Sequence, residues 1–341
     1  MDSLTQIVLG AAVAELTLGK KVGNKAALWG AICGTIPDLD VLMNPFISDL
    51  QELSAHRGFS HSIFFAVIFA PILGYLISIF YHKKEAKWYE WALLCFGSLV
   101  THPLLDSFTN YGTQLFLPFS NYRVALNNIF IVDPCYTVPM MLLLLVAMFF
   151  NRKKPIRSKL NGIGMIISHA YMLFTLANKL YVGTVFEQAL ENQNMPYQRY
   201  MTNPMPFQNA LWVCIAEDTA GFRIGYYSWF DKDKNVKFKF VAKNDYMLDK
   251  LKQSFPIKRL AWFSDGYYVF TRKDNELYIN DLRFGKKGGL INTNSDFVFQ
   301  WKVIQENSQV EIEKVSIPFK WERNVFDDLV LRVKGIKKDS L

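Results

Sequence analysis

Apolar positions follow two different rhythms along this chain. In the first half they come in long blocks. Residues 61–81 read HSIFFAVIFAPILGYLISIFY without an acid, lysine or arginine, and 133–150 and 160–180 are similar. A bilayer-crossing helix needs about 20 mostly apolar residues. These blocks, with weaker ones at 4–19, 24–43 and 88–105, predict an α-helical membrane domain of about six spans over residues 1–180. After residue 181 the rhythm shortens. LWVCIAED, FRIGYYSWF, VKFKFVAK, GYYVFTR, ELYINDLRFG and DFVFQWKVI are short β-branched and aromatic runs separated by Gly, Asn and Asp, which predict strands and hairpins. Residues 244–255 predict an amphipathic helix with Leu248, Leu251 and Phe255 inward. The expected fold is therefore a membrane domain over 1–180 and an extracytoplasmic α+β domain with an antiparallel sheet over 181–341.

Composition changes this picture little. The net charge of +8 would suit nucleic acid, but its distribution excludes that partner: residues 1–180 hold 14 Lys/Arg against 10 Asp/Glu, and the remainder 24 against 20. In the first half the excess sits in Lys20-Lys21-Lys25, Lys83-Lys84-Lys87 and Arg152–Lys159. Short basic loops stay in the cytoplasm, so the alternate connections, and the carboxy-terminal domain, are expected outside. The start carries Asp2 rather than a basic leader and is expected to remain as the first helix. Cys33, Cys95, Cys135 and Cys214 form no CxxC pair or disulfide framework and read as small core residues.

That charge frame brings the chemistry-bearing residues to one face. All five histidines lie in the first 169 residues. In GTIPDLD, Gly34 and Pro37 end or break a helix, so Asp38 and Asp40 can turn toward one site. In HRGFSHS, His56 approaches from a loop and His61 from the first turn of the next helix, with Ser60 as its cap. In THPLLD, His102 and Asp106 stand one turn apart on a helix face. Three His and three Asp suit a divalent ion bound by nitrogen and oxygen: zinc first, manganese or iron as alternatives. Six ligands exceed one tetrahedral site, so one or two ions are expected. Asp133 is a candidate general base or further ligand. Arg57 and Arg123 are candidate anion clamps, with pairing to Asp133 as the other reading for Arg123. Residues 107–132 read as a re-entrant or interfacial segment over the site. His169 reads as a satisfied core histidine, His82 as solvated, and Glu15 as an interfacial residue or a partner for lysine.

MDSLTQ, PDLD, HRGFSHS, THPLLD, NYGTQLF and VDPCYT, in this order over residues 1–180, resemble the YdjM-like family of inner-membrane, metal-dependent hydrolases, also labelled LexA-binding. Members often carry His where Gln6 stands here. The resemblance implies a membrane-bound hydrolase using the Asp and His residues as metal ligands. A site at the outer interface points to a membrane lipid or lipid-linked (phospho)ester as substrate. A metal-binding membrane transporter or scaffold is the alternative, and sites near one membrane face favour the enzyme. The carboxy-terminal domain, which has no histidine, reads as a recognition or lid domain.

Overall fold

The computed structural model describes residues 1–81, 85–247, 251–286, 296–306, 309–315 and 323–337. His82, Lys83, Lys84 and Leu248 lie outside the described residues. The chain forms two compact units. One comprises Met1–Pro45, Ala55–Asn178 and Pro206–Gln208; the other comprises Phe46–Ser54, Lys179–Met205 and Asn209–Leu341.

The first unit is helical: α1 (Ser3–Val22), α2 (Asn24–Thr35), then, after α3 (Asp49–Ala55), α4 (Ile63–Phe80), α5 (Trp88–Asp106), α6 (Pro134–Met148) and most of α7 (Pro155–Asn192). Asp2 caps α1, accepting from the Thr5 N–H at 3.0 Å. One core joins Leu18, Trp91, Leu94 and Leu99; a second joins Leu9, Tyr136, Met140 and Leu144. The α1–α2 contact is backbone-close. A Cβ on Gly30 would overlap Ala14 and the Gly10 carbonyl, and one on Gly34 would come 2.6 Å from the Gln6 carbonyl. Small residues let apolar helices approach this way in a medium that gives little hydrophobic drive for association. Gly30→Ala is expected to cost about 1–3 kcal/mol through forced separation of the helices, read as a lower unfolding midpoint in detergent.

Among the described residues, three helical stretches are long and apolar enough to cross a membrane: Asn24–Phe46, Ile63–Phe80 and Pro155–Asn192. The expectation of six spans is corrected accordingly. Helix α1 interrupts its apolar run with Gln6, Glu15, Lys20 and Lys21, α5 carries Glu90, His102 and Asp106, and α6 has only 15 residues.

Lys21, Lys25 and Arg152, from two of the basic clusters, meet at one end of this unit. Lys21 pairs with Glu90 at 2.6 Å, Lys25 pairs with Glu85, and Arg152 donates to the Lys21 carbonyl. Glu15, read from sequence as a partner for lysine, instead takes a two-pronged pair from buried Arg157, Nε to Oε1 and Nη2 to Oε2, both 2.6 Å. Gln6, near the opposite end of α1, hydrogen-bonds Asp106. At 1.5 Å per residue the helix separates Gln6 from Lys21 by about 22 Å.

Among the described residues the second unit holds two four-stranded antiparallel meanders: β1 (Arg199–Pro204) to β4 (Phe238–Ala242) through β2 (Leu211–Glu217) and β3 (Gly221–Ser228), and β5 (Tyr268–Lys273) to β8 (Gln309–Lys314) through β6 (Glu276–Asp281) and β7 (Gln300–Glu306). Trp212 pairs with Tyr227 and Tyr278 with Lys302. The end of α7 packs Val182, Val185 and Phe186 against Trp212 and Cys214. Sequence reading had not marked β1, β8 or α9 (Arg323–Val333). It had also ended a helix where one begins. Asp245–Met247 and Leu251–Gln253 are short 3-10 turns, and α8 runs Phe255–Phe263 with Pro256 in its first turn, where a missing N–H costs no helical hydrogen bond.

Segment Phe46–Ser54 belongs to this second unit. The Lys314 N–H donates to Asp49 at 2.6 Å, its ammonium pairs with Glu52 at 2.7 Å, and Arg259 donates to the Ser54 hydroxyl.

Candidate metal centre

Pro37 shapes the first pair of carboxylates. Helix α2 gives way at Ile36 to a 3-10 helix running to Phe46. Positions i and i+2 stand about 160° apart on an α-helix but about 120° apart at three residues per turn. Asp38 and Asp40 can therefore both reach the HRGFSHS turn, at different points. Asp38 Oδ1 lies 3.4 Å from His61 Nε2 and 3.3 Å from His102 Nε2. Asp40 lies on the other side of His61, with Oδ2 3.4 Å from Nδ1.

His61 closes a 3-10 turn, Phe59–His61, and is fully buried. Ser60 does not cap the following helix. Ser62 does, accepting from the Phe65 N–H at 3.0 Å. The Ser60 hydroxyl instead bridges His61 Nδ1 at 3.0 Å and Asp40 Oδ2 at 3.3 Å. An ionised carboxylate only accepts, so the hydroxyl donates to Asp40 and Nδ1–H donates to the hydroxyl. His102, near the end of α5, donates Nδ1–H to the Gly34 carbonyl at 2.6 Å. Both rings thus have their Nδ1 proton committed and present a bare Nε2.

Those two nitrogens face each other at 3.2 Å. Asp106 Oδ2 stands 3.5 Å from one and 3.6 Å from the other. It is buried without a hydrogen-bond partner; Arg57 Nε is 3.2 Å away but off the line a hydrogen bond needs. Asp38, His61, His102 and Asp106 place one donor atom each within 4.8 Å of one another. Ligand bonds of about 2.0–2.1 Å in a tetrahedron imply donor separations of about 3.3 Å. Five of the six separations lie between 3.2 and 3.6 Å. The orphaned carboxylate oxygen and the two opposed lone pairs fit a divalent cation.

The other expected residues sit around this quartet or away from it. His56 is not among the four donors. Its Nδ1 is 3.0 Å from Asp40 Oδ1, and its ring meets Tyr111 edge-on. Asp40 gathers His56, Ser60, His61 and, at 3.0 Å, the Arg57 N–H. Arg57 holds φ 55, a costly backbone conformation for a bulky residue. It is buried, donates to Thr109 Oγ1 at 2.8 Å, and lies 4.9 Å from the Tyr111 ring. Arg123 covers the same ring at 5.2 Å and donates to the carbonyls of Tyr111 and Gly112. Asp133 caps α6 through the Cys135 N–H at 3.0 Å and takes the Tyr171 hydroxyl at 2.8 Å. His169 is exposed on α7, its Nδ1–H satisfied by the Met165 carbonyl, rather than in a core. Cys135 is exposed, whereas Cys33, Cys95 and Cys214 are buried.

The segment between α5 and α6 is tied down by backbone bonds. The Gln114 N–H donates to the Arg57 carbonyl and the Ile63 N–H to the Leu115 carbonyl. It brings Thr109 and Tyr111 to the centre and leaves Phe116, Phe119 and Tyr122 exposed. Two further groups reach Asp106 from the start of the chain. Gln6 donates to Asp106 Oδ1 at 2.9 Å, and the Met1 amino group donates to the same oxygen. A buried Gln three residues into an apolar helix was the available hint for the first.

The comparisons cover this same region. The model of a family described as YdjM inner membrane protein matches residues 1–182. The chain is 32% identical over 142 residues to the uncharacterized protein YfhP of Bacillus subtilis (strain 168), which is 39% of this chain and 42% of that one. It is 36% identical over 103 residues to inner membrane protein YbcI of Escherichia coli (strain K12), 28% of this chain and 55% of that one. The matches thus span about half the length of these relatives. No solved structure matches.

Proposed function

The chain belongs to the YdjM inner membrane protein family, and from that premise we propose that it is a membrane-embedded, metal-dependent hydrolase acting on a lipid or lipid-linked (phospho)ester. The observation that carries this reading is the pair of bare imidazole nitrogens facing each other at 3.2 Å beside an orphaned buried carboxylate oxygen. A divalent ion held by Asp38, His61, His102 and Asp106, with zinc the best match to the donor set, would polarise an ester oxygen and acidify water.

The chain's own residues supply the rest. Asp40, through Ser60, keeps His61 in the tautomer that leaves Nε2 free. Gly34 does the same for His102. Arg57 balances the negative charge of Asp106 and, with Arg123 across Tyr111, favours an anionic headgroup. His56, its Nδ1 committed to Asp40, can carry a proton at Nε2. The centre lies toward the end of α1 opposite Lys21 and Arg152, and the tendency of Lys and Arg to stay in the cytoplasm supports a site at the outer leaflet.

The test is elemental analysis of purified full-length protein, followed by hydrolysis of phosphatidylglycerol with and without chelator. Turnover should vanish on chelation and return with added metal. An ion-free protein that stays active would overturn the reading. The transporter alternative predicts metal uptake into proteoliposomes without turnover.

A further inference from the structure

Five aromatic rings form a continuous series that passes the metal centre at its middle ring, Phe59. Phe119 meets Phe64 at 5.7 Å between centroids, and Phe64 meets Phe59 at 6.3 Å. Phe59 meets Phe65 at 5.9 Å, and Phe65 stacks on Phe69 at 4.1 Å. Phe59 stands two residues before the ligand His61, in the same 3-10 turn. Phe69 lies on α4, a helix apolar enough to span a bilayer. From Phe64 to Phe69 the series descends roughly 7.5 Å along that helix. Phe119, Phe59 and Phe69 are 83%, 46% and 37% exposed, while Phe65 is buried behind them. The bond from the Ile63 N–H to the Leu115 carbonyl holds the 115–119 segment to the top of α4, so the series does not depend on a free loop.

We propose that this ring series is the binding track for one alkyl chain of the substrate amphiphile, so that the substrate carries at least one long acyl or prenyl chain. The inference rests on the membrane-hydrolase reading for its headgroup end only. A membrane lipid is the occupant the position favours. The exposed rings lie on and next to a membrane-spanning helix, where a protein partner gains little from apolar contact that lipid tails do not already provide. Phe59, at the middle of the series, follows Arg57 by two residues, so a headgroup held by Arg57, whose guanidinium lies 4.9 Å from the Tyr111 ring, would sit at the same turn as the track. Flat ring faces offer a methylene chain broad contact while losing little side-chain freedom.

The experiment uses full-length protein in mixed micelles with phosphatidylglycerol bearing a diazirine in one acyl chain. After photolysis, labelled residues are mapped by peptide mass spectrometry. Labels should concentrate within 59–69 and 115–119. They should be competed by dodecyl phosphate and not by glycerol phosphate, which separates chain recognition from headgroup binding. Phe59→Ala should lower labelling about tenfold, the loss expected for one exposed aromatic contact. Phe59→Leu, which keeps apolar volume without the ring, guards against a folding defect and should fall between. Labels spread evenly over the outward faces of α4 and α7, unchanged in both variants, would overturn the track. Localised labelling without hydrolysis would support the track and remove only the hydrolytic reading.

Discussion

His61→Ala is expected to purify without a bound divalent ion, whereas Asp40→Asn keeps an ion and holds it less tightly. His61 supplies one of four donors. If a four-ligand site is worth about 10–16 kcal/mol, one ligand carries about 3 kcal/mol, more than a hundredfold in affinity. Asp40 touches His61 only through Nδ1 and the Ser60 hydroxyl. Removing such a support costs about 10–100-fold in affinity and leaves stoichiometry intact. Competition with a fluorescent chelator measures both variants on one scale. Equal losses would make Asp40 a ligand in solution, as the sequence alone suggested. An unchanged affinity in His61→Ala would defeat the centre itself.

Glu15→Ala is expected to destabilise the helical unit by about 3–5 kcal/mol, the cost of leaving a buried charge without its partner. Both side chains are nearly inaccessible, and both prongs of the pair are 2.6 Å. Glu15→Met with Arg157→Met should recover part of that loss, because two apolar groups replace two buried charges. Recovery will be incomplete. Arg157 also donates to Asn24 Oδ1 at 2.7 Å and to the Phe150 carbonyl at 3.1 Å, and methionine serves neither. Unfolding in detergent, compared across wild type, single and double variants, reads the difference. A single variant as stable as wild type would mean that water reaches the pair.

How far the site was legible can be followed through a few residues. Pro37 marked the point where α2 changes, since a missing N–H is a local fact. It did not reveal that the chain tightens to 3-10 and sends Asp38 and Asp40 to opposite sides of His61. Ser60 and Ser62 have equal capping ability, and the choice between them was made by Asp40, 20 residues from Ser60 in sequence. His102 and Asp106 were legible as a pair from their one-turn spacing. Glu15 was marked as needing a partner, but a lysine near in sequence lost to Arg157, whose planar fork can satisfy both carboxylate oxygens. In the second unit, runs such as LWVCIAE announced their strands through apolar content, while β8, QVEIEK, alternates with charged residues and gave a weaker signal.

Residue order alone determined the division into an apolar helical half and a strand-rich half, the gathering of histidines in the first, and the motif set that marks the family, because each depends on neighbours close in the chain. Tertiary structure decided which of the His and Asp residues share one centre and which only support it. Ligation depends on which atom of a ring or carboxylate is left without a proton partner. That is fixed by contacts from other elements: the Gly34 carbonyl on His102, Ser60 and Asp40 on His61, and Gln6 on Asp106.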